Sequence, residues 1–304
     1  MTRTNFYATI NLDRAANQRG DSEWLSNLLR APESRVLPLW RSQSLFTTDD
    51  EMSMVELDIA HIESLSNGHN EPILLGLVGE TAYFSIDVSH VENPADHHIL
   101  GQQGQFADLR QVGPIMARDV GNLLAYARGI DYWHQRHRHC GVCGAPTRSE
   151  SAGHQRRCTD EGCNTVHFPR TDTACIVLVY NDDNIILARA ERFPPRMQSV
   201  LAGFLEPGES LEDCVTREIL EEVGVNVTDV TYQHSQPWPF PASLMVGFRA
   251  RAENTDLHAD PTELVSAGWY SRAALKAITP ESELQLPRAD SIARRLIEDW
   301  LDEA

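Results

Sequence analysis

Three carboxylates close together on one predicted helix are the residues of this sequence best suited to chemistry. They are Glu218, Glu221 and Glu222, within the segment GFLEPGESLEDCVTREILEEVGV. The i, i+3, i+4 spacing puts them side by side, where like charges destabilise a helix by roughly a few tenths of a kcal/mol per pair. Mg²⁺ or Mn²⁺ would relieve that repulsion, because these ions prefer hard oxygen ligands and are shared between carboxylates and phosphates. The alternative is a solvated acidic helix face.

The same segment carries the signals that begin and end this helix. Ser210 and Asp213 have the spacing of a capping box, and Gly224 can adopt the left-handed conformation that ends a helix. Arg217 can reach back to Glu209 and fix the preceding loop against the helix. Apolar residues at every fourth position predict the buried stripe, which comprises Leu211, Val215, Ile219 and Val223.

Four cysteines in two pairs predict a zinc site. Cys140 and Cys143 form a CxxC pair, and Cys158 and Cys163 follow with four intervening residues. Four thiolates can surround zinc as a tetrahedron and leave no position for water, so this zinc would be structural. The alternatives are two disulfides or four unrelated thiols, and disulfides fit poorly with a chain that shows no signal peptide.

Other histidines and cysteines near these motifs allow more than one interpretation. His134, His137 and His139 precede the first cysteine pair and could be alternative ligands, although a solvated entry to the ribbon is favoured. Cys175 and Cys214 lack paired spacing, which predicts small core residues.

The acidic segment resembles a known signature, Gx5Ex7REUxEExGU, in which U is a bulky apolar residue. The matching positions are Gly203, Glu209, Arg217, Glu218, Ile219, Glu221, Glu222, Gly224 and Val225. The chain is therefore similar to the Nudix hydrolases, a resemblance that implies an α/β (α+β) fold, with a Nudix α/β/α sandwich. It also implies metal-assisted attack of water on phosphorus, with Glu218, Glu221 and Glu222 as ligands of Mg or Mn.

Further motifs resemble one Nudix subfamily, the NADH pyrophosphatases. They are SQPWPFPAS at 235–243, WHQRHRHCGVCG at 133–144, FPR at 168–170, LAGF at 201–204 and DPTELVSAGWY at 260–270. The resemblance covers residues 130–304 well, and the N-terminal part only in position and length. It implies hydrolysis of NADH, and less readily of NAD, to nicotinamide mononucleotide and AMP. It also implies a zinc ribbon, a homodimer and possible removal of an NAD cap from RNA.

The subfamily resemblance also implies roles for individual residues. Glu263 is a further metal ligand or the base, Phe168 and Phe204 contact the substrate base, and Trp238 acts at the dimer-related site. We expect the whole array to bind substrate: Ser235, Gln236, Pro237, Trp238, Pro239, Phe240, Pro241, Ala242 and Ser243.

The composition of this array agrees with rigid presentation of aromatic rings. Pro237, Pro239 and Pro241 fix the backbone and lack N–H donors, so they exclude a central strand. Trp238 and Phe240 could then offer flat faces to nicotinamide or adenine at little ordering cost. Alternatively the array packs against its own domain, with Phe240 in the core, and a PxxP ligand for a partner is disfavoured.

Composition and charge bound the remaining possibilities. The chain has 304 residues and a formal charge of −18, which argues against broad electrostatic binding of nucleic acid. No signal peptide or membrane span is evident, so we expect a cytoplasmic protein. We expect three domains: a mixed α/β domain at 1–134, a zinc ribbon at 135–169 and the Nudix domain at 170–304.

Local patterns predict several elements outside the acidic helix. These are a hairpin around Gly79, a helix over 113–136, strands in TACIVLVY and NIILARA, and a C-terminal helix with Ile292, Leu296 and Trp300 on one face.

Two other functions compete with NADH hydrolysis. One is an enzyme whose main substrate is NAD-capped RNA. The other is a binding module, in which a degenerate Nudix domain senses dinucleotides or the ribbon recruits nucleic acid. The intact glutamates argue against degeneration.

Overall fold

The computed structural model describes residues 4–8, 11–49, 52–68, 70–116 and 118–303. The chain divides into two compact units. The N-terminal unit consists of Tyr7–Arg170 together with Pro239–Ala242, and the C-terminal unit consists of Met1–Phe6, Thr171–Trp238 and Ser243–Ala304.

The N-terminal unit begins with a mixed sheet. Its strands are β1 (Arg35–Trp40), β2 (Gln43–Phe46), β3 (Leu57–Asp58), β4 (Ile73–Val78), β5 (Thr81–Asp87) and β6 (Gln105–Ala107), in the order β4-β5-β1-β2-β6 with β3 paired to β1. The helices are α1 (Ser22–Leu28), α2 (Ile62–Leu65), α3 (Leu100–Gln103), α4 (Leu109–Val112) and α5 (Arg118–Arg136). The long helix α5 packs against β1, β4 and β5. The predicted hairpin around Gly79 is confirmed as β4 and β5.

The predicted helix over 113–136 starts later than expected. A short 3₁₀ turn occupies Gly113–Ile115, where Pro114 lies, and α5 begins at Arg118. Position 117 of that prediction lies outside the described residues.

The zinc-ribbon region follows α5 and belongs to the same compact unit. Its small sheet has the order β7-β8-β9, with β7 (Thr147–Glu150), β8 (Gln155–Cys158) and β9 (Val166–His167).

The C-terminal unit is built on a second mixed sheet. Its strands are β10 (Asp172–Asn181), β11 (Asn184–Ala190), β12 (Leu201–Phe204), β13 (Val227–Trp238), β14 (Ser243–Ala252) and β15 (Leu264–Ser271). They follow the order β13-β14-β10-β11-β15, with β12 paired to β10. The helices are α6 (Leu211–Val223), α7 (Arg272–Lys276) and α8 (Ile292–Asp302).

Alternating residues of the central strand β10 give this unit its layers. Cys175, Val177 and Val179 join one core with Ile219 and other residues of α6. Ile176 and Leu178 join the other core with Leu296, Ile297 and Trp300 of α8. Successive strand side chains point to opposite faces, so a continuous apolar run buries both faces between helices. The predicted α/β/α sandwich is therefore confirmed.

Among the described residues, no helix combines the length and the apolar character needed to cross a membrane.

Candidate active site and zinc ribbon

Helix α6 has the boundaries that its sequence predicts. Ser210 Oγ accepts a hydrogen bond from the Asp213 N–H, and the Asp213 carboxylate accepts one from the Ser210 N–H, which completes the capping box. Gly224 ends the helix with φ 70°. The buried stripe points into the sheet, because Val215, Ile219 and other apolar residues of α6 lie in the core. The carboxylates lie beside this stripe, and Glu222 is itself among the buried residues of α6.

Arg217 lies at the centre of the carboxylate cluster. Its Nη2 donates to Glu209 Oε2 at 2.9 Å, so the predicted link to the preceding loop is confirmed. Its Nη1 lies 3.0 Å from Glu218 Oε1 and 2.9 Å from Glu221 Oε2. The same Nη2 donates to the Phe204 carbonyl at 3.0 Å, which ties the end of β12 to the helix. One guanidinium therefore offsets part of the like-charge repulsion on α6.

Glu222 is the buried member of the cluster. Only 6% of the residue is exposed, and no side chain or backbone N–H in the described parts of the chain donates to its carboxylate. Burial, and then the charges of Glu218 and Glu263, raise the pKa of Glu222 to about 8. A buried carboxyl group next to two others and without a donor ionises only where a cation balances its charge, which fits a divalent cation held by oxygen ligands.

The other glutamates differ in exposure, and the four do not form a tight ligand set. Glu221 is exposed, and Glu263, just before β15, is also exposed. In the described residues, a group whose ligand atoms all lie within 4.8 Å of one another occurs for cysteines but not for these carboxylates.

Gly203 on β12 lies against the carboxyl group of Glu218. A Cβ added to Gly203 would lie 1.8 Å from Glu218 Cδ and 2.1 Å from Oε1. The glycine of the signature is thus required by close approach to a candidate ligand. Its backbone φ is not positive, so conformational freedom is not the reason.

The proline-aromatic array is partly a strand and partly a loop. Ser235 to Trp238 end strand β13, which is an edge strand of its sheet, and Pro237 pairs with Leu244 of β14. This agrees with the expectation that prolines exclude a central strand. Gln236 is fully buried; its Nε2 donates to the carbonyls of Phe6 and Asp290, and its Oε1 accepts from Ile292 N–H. These bonds make Gln236 a scaffold residue without a donor left for substrate.

The tip of the array, Pro239–Ala242, packs within the N-terminal unit. Phe240 is only 7% exposed. The guanidinium carbons of Arg110 and Arg128 lie 4.8 Å and 5.1 Å from its ring centre, and Tyr7 meets it edge-on. Arg128 Nε also donates to the Pro239 carbonyl at 2.9 Å. These contacts leave no ring face of Phe240 open to a nucleotide base, in agreement with the alternative that Phe240 is a core residue.

The remaining candidate aromatic residues are more accessible. Phe168 in the N-terminal unit is 62% exposed, and Phe204 in the C-terminal unit is 59% exposed. Trp238 is half-buried. These three side chains retain surface on which a ring could stack.

The four paired cysteines converge. Their Sγ atoms all lie within 4.8 Å of one another, with 3.8 Å between Cys140 and Cys163 and 3.4 Å between Cys143 and Cys158. Tetrahedral zinc with Zn–S bonds of about 2.3 Å requires sulfur atoms about 3.8 Å apart. The cluster therefore fits zinc, whereas separate disulfides would not bring all four sulfur atoms together.

The structure corrects the prediction for His134 and places another histidine, His167, beside the cysteine cluster. His134 is not a solvated entry to the ribbon: its Nε2 lies 2.6 Å from the Gly153 carbonyl, and its Nδ1 accepts from Arg156 Nη1 at 2.8 Å. Burial lowers the pKa of His134 to about 4. His167, which carries no sequence signal, places Nε2 3.2 Å from Cys140 Sγ. A ring N–H there would stabilise the thiolate.

Cys175 and Cys214 are fully buried in the core of the C-terminal unit, as predicted.

Comparison with protein families agrees with this geometry. A NUDIX domain model matches residues 169–296, an NADH pyrophosphatase zinc ribbon domain matches 135–168, and an NADH pyrophosphatase-like rudimentary NUDIX domain matches 33–133. The rudimentary domain had no sequence signal that we identified.

Curated relatives extend the similarity along the chain. The NAD-capped RNA hydrolase NudC of Stutzerimonas stutzeri is 38% identical over 252 residues, which cover 83% of this chain and 82% of that protein. NudC of Mycobacterium bovis is 43% identical over 203 residues, 64% of each chain. Human NUDT12 is 40% identical over 190 residues, 59% of this chain and 41% of that protein. Similarity along most of both chains, with the adjoining domain matches, places this protein in the NADH pyrophosphatase family, as a Nudix hydrolase that acts on pyrophosphate bonds with a divalent metal.

Proposed function

We propose that this enzyme hydrolyses NADH, and NAD less readily, to nicotinamide mononucleotide and AMP. The observation that carries the proposal is the buried Glu222 carboxylate, which lacks a donor among the described residues and is coupled to Glu218 and Glu263. The family assignment supports the same conclusion, because the matching domains are those of NADH pyrophosphatases.

The carboxylates of Glu218, Glu221 and Glu222 would hold Mg or Mn, with Glu263 as a further ligand or as the base. When bound, the metal polarises phosphoryl oxygens, lowers the pKa of water and neutralises charge on the leaving phosphate. The oxygen of water forms a bond to one phosphorus, and the bond from that phosphorus to the bridging oxygen breaks. Two monophosphates result, and the carboxylate that acts as base takes the proton from water.

Arg217 has a separate role in this proposal. It holds Glu209 and the carbonyl of Phe204, so it fixes the loop and the strand next to the metal site. It also offsets part of the negative charge of Glu218 and Glu221. Arg217 would therefore reduce the repulsion between the carboxylates of α6 in the metal-free protein.

The exposed aromatic residues are the proposed ring contacts. Phe168 and Phe204 would stack on the bases, and Trp238 would act at the dimer-related site of a homodimer. Gln236 and Phe240 would serve the array as scaffold, because both are buried and bonded within the protein. Light scattering tests the dimer: a monomer at working concentration would contradict it.

Zinc held by Cys140, Cys143, Cys158 and Cys163 would be structural, because four thiolates leave no open position. We also propose the domain boundaries 1–134, 135–169 and 170–304. The family matches at 33–133, 135–168 and 169–296 support them.

A substrate panel with product identification by mass spectrometry tests the activity. With Mg or Mn present, NADH should yield AMP and the reduced mononucleotide. Glu221→Gln and Glu222→Gln should each lower kcat by about 10²-fold or more, because the metal is then misplaced. Glu212→Gln is the matched control, since Glu212 is exposed on the first turn of the same helix. Absence of AMP at every metal concentration would refute the proposal.

NAD-capped RNA is a second candidate substrate, because the relatives of 38% and 43% identity are named NAD-capped RNA hydrolases. The formal charge of −18 disfavours long electrostatic contact with a transcript. The ratio of kcat/KM for capped RNA and NADH, at matched salt, distinguishes the two substrates.

A further inference from the structure

A cavity of about 660 Å³ lies within the N-terminal unit. It is bounded by the end of β5, the last turn of α5 and the ribbon strands β7 and β8. Its volume is within the range of roughly 300–1,000 Å³ typical of small-molecule sites. None of the proposed catalytic glutamates lines it.

A buried carboxyl group forms part of the lining. Asp131 is 2% exposed and lines the cavity, and its Oδ2 accepts from Gln135 Nε2 at 2.8 Å. The other oxygen has no donor among the residues that the structure describes, so it remains available to a ligand. Burial, and then the charge of Asp87, raise the pKa of Asp131 to about 8. At neutral pH this group is therefore a carboxylic acid, which can donate and accept one hydrogen bond side by side.

Arginine side chains bring positive charge to the same cavity. Arg138, Arg148 and Arg156 line the cavity, and besides Asp131 the lining contains two acidic residues, Glu71 and Asp87. The three arginines therefore outnumber the ionised carboxylates of this lining, in a chain with a formal charge of −18. Arg156 is committed to the protein, because it donates to His137, Thr147 and His134. Arg138 and Arg148 have mostly exposed side chains, with one carboxylate neighbour each. Two guanidinium groups with free N–H donors fit a phosphate.

We propose that this cavity is a second, non-catalytic nucleotide site that binds a nucleoside monophosphate. The phosphate contacts Arg138 and Arg148, and the base edge pairs with Asp131. Every common base has an edge with an adjacent donor and acceptor, which is the pattern that a carboxylic acid complements. The site does not depend on the proposed hydrolysis, because binding is measured without turnover.

Calorimetric titration of AMP into the full-length protein, without added Mg or Mn, tests the proposal. We expect Asp131→Leu to weaken AMP binding about tenfold, because it removes both hydrogen bonds, and Asp131→Asn to retain it within about threefold. Arg138→Gln and Arg148→Gln should each weaken binding of AMP by about tenfold. Arg136→Gln is the matched control, because Arg136 stacks on Tyr132 and does not line the cavity.

Ribose 5-phosphate and inorganic phosphate separate the two halves of the site. Both should bind more weakly than AMP and should be insensitive to Asp131→Leu. Equal affinity for AMP and ribose 5-phosphate would refute the base contact. Failure of AMP to bind at about 1 mM, or unchanged affinity in the folded Asp131→Leu and Arg138→Gln variants, would overturn the site itself. Either result leaves NADH hydrolysis to be judged by its own assay.

Discussion

Replacement of Gly203 by alanine tests how the candidate metal site is positioned. The added Cβ would lie 1.8 Å from Glu218 Cδ, whereas carbon atoms pack at about 3.5–4.0 Å. The carboxyl group would therefore have to withdraw by about 1.7–2.2 Å. The Arg217 contact of Glu218 at 3.0 Å would break as a result.

The substitution is expected to slow turnover strongly and to leave the protein folded. Misplacement of a catalytic group by about 1 Å costs on the order of 10²-fold in rate, which corresponds to about 2.7 kcal/mol in the barrier. Overpacking costs about 1–3 kcal/mol of unfolding free energy, or a Tm lower by several degrees. Gly203→Ala should thus fold, and it should hydrolyse NADH about 10²-fold more slowly.

Steady-state hydrolysis of NADH, titrated with Mn²⁺, is the assay. Gly268→Ala is the matched control, because Gly268 lies in β15 of the same sheet and its added Cβ would meet Tyr270 at an ordinary 3.4 Å. Glu218→Asp shortens the side chain that the new methyl group would meet. The double variant with Gly203→Ala should therefore lose less turnover than the sum of the losses of the two single variants, expressed as free energies. A kcat for Gly203→Ala within about threefold of wild type would refute the idea that Gly203 makes room for Glu218.

Three further predictions follow from the structure. Trp238→Ala should raise KM for NADH with little change in Tm, and an unchanged KM would contradict a substrate contact. Phe240→Ala empties a core position and should cost about 3–5 kcal/mol of stability, so an unchanged Tm would contradict its role in the core. Cys143→Ser should lose zinc, measured by elemental analysis, because one of the four clustered thiolates is removed; full zinc content would exclude the cluster as the site. The pKa of Asp131 is raised from 3.8 to about 8, so its contribution to stability is complete below about 4 and is lost as pH rises towards 8. The unfolding free energy of Asp131→Asn relative to wild type should therefore rise by a few kcal/mol across that interval in denaturant titrations, and a pH-independent difference would exclude a neutral Asp131.

The acidic helix could be predicted in detail because its determinants are local. The capping box spans four residues, and the carboxylates follow one another by helical spacing, so sequence separation nearly fixes their geometry. The zinc cluster was predictable for a similar reason, since each pair of cysteines is held by a short turn. The alternating burial along β10 likewise follows from the period of a strand.

The accessibility of individual side chains was less predictable. The sequence left open whether Phe240 contacts substrate or belongs to the core. The structure places it in the core, in contact with Arg110 and Arg128, and Arg128 is more than a hundred positions earlier in the chain. His134 precedes a metal motif, where the sequence favoured a solvated side chain. In the structure it is half-buried and held by Gly153 and Arg156.

The sequence by itself therefore determined the boundaries of the carboxylate-bearing helix, the pairing of the four cysteines and the motifs that carry the family resemblance. Those features depend on short spacings, and short spacings impose geometry through the helix and the turn. Only the tertiary structure decided that Glu222 is the buried carboxyl group of the cluster, that Gln236 and Phe240 are held within the protein, and that Asp131 lines a cavity. Burial and pairing depend on residues far away in the chain, and no local pattern encodes which of them will meet.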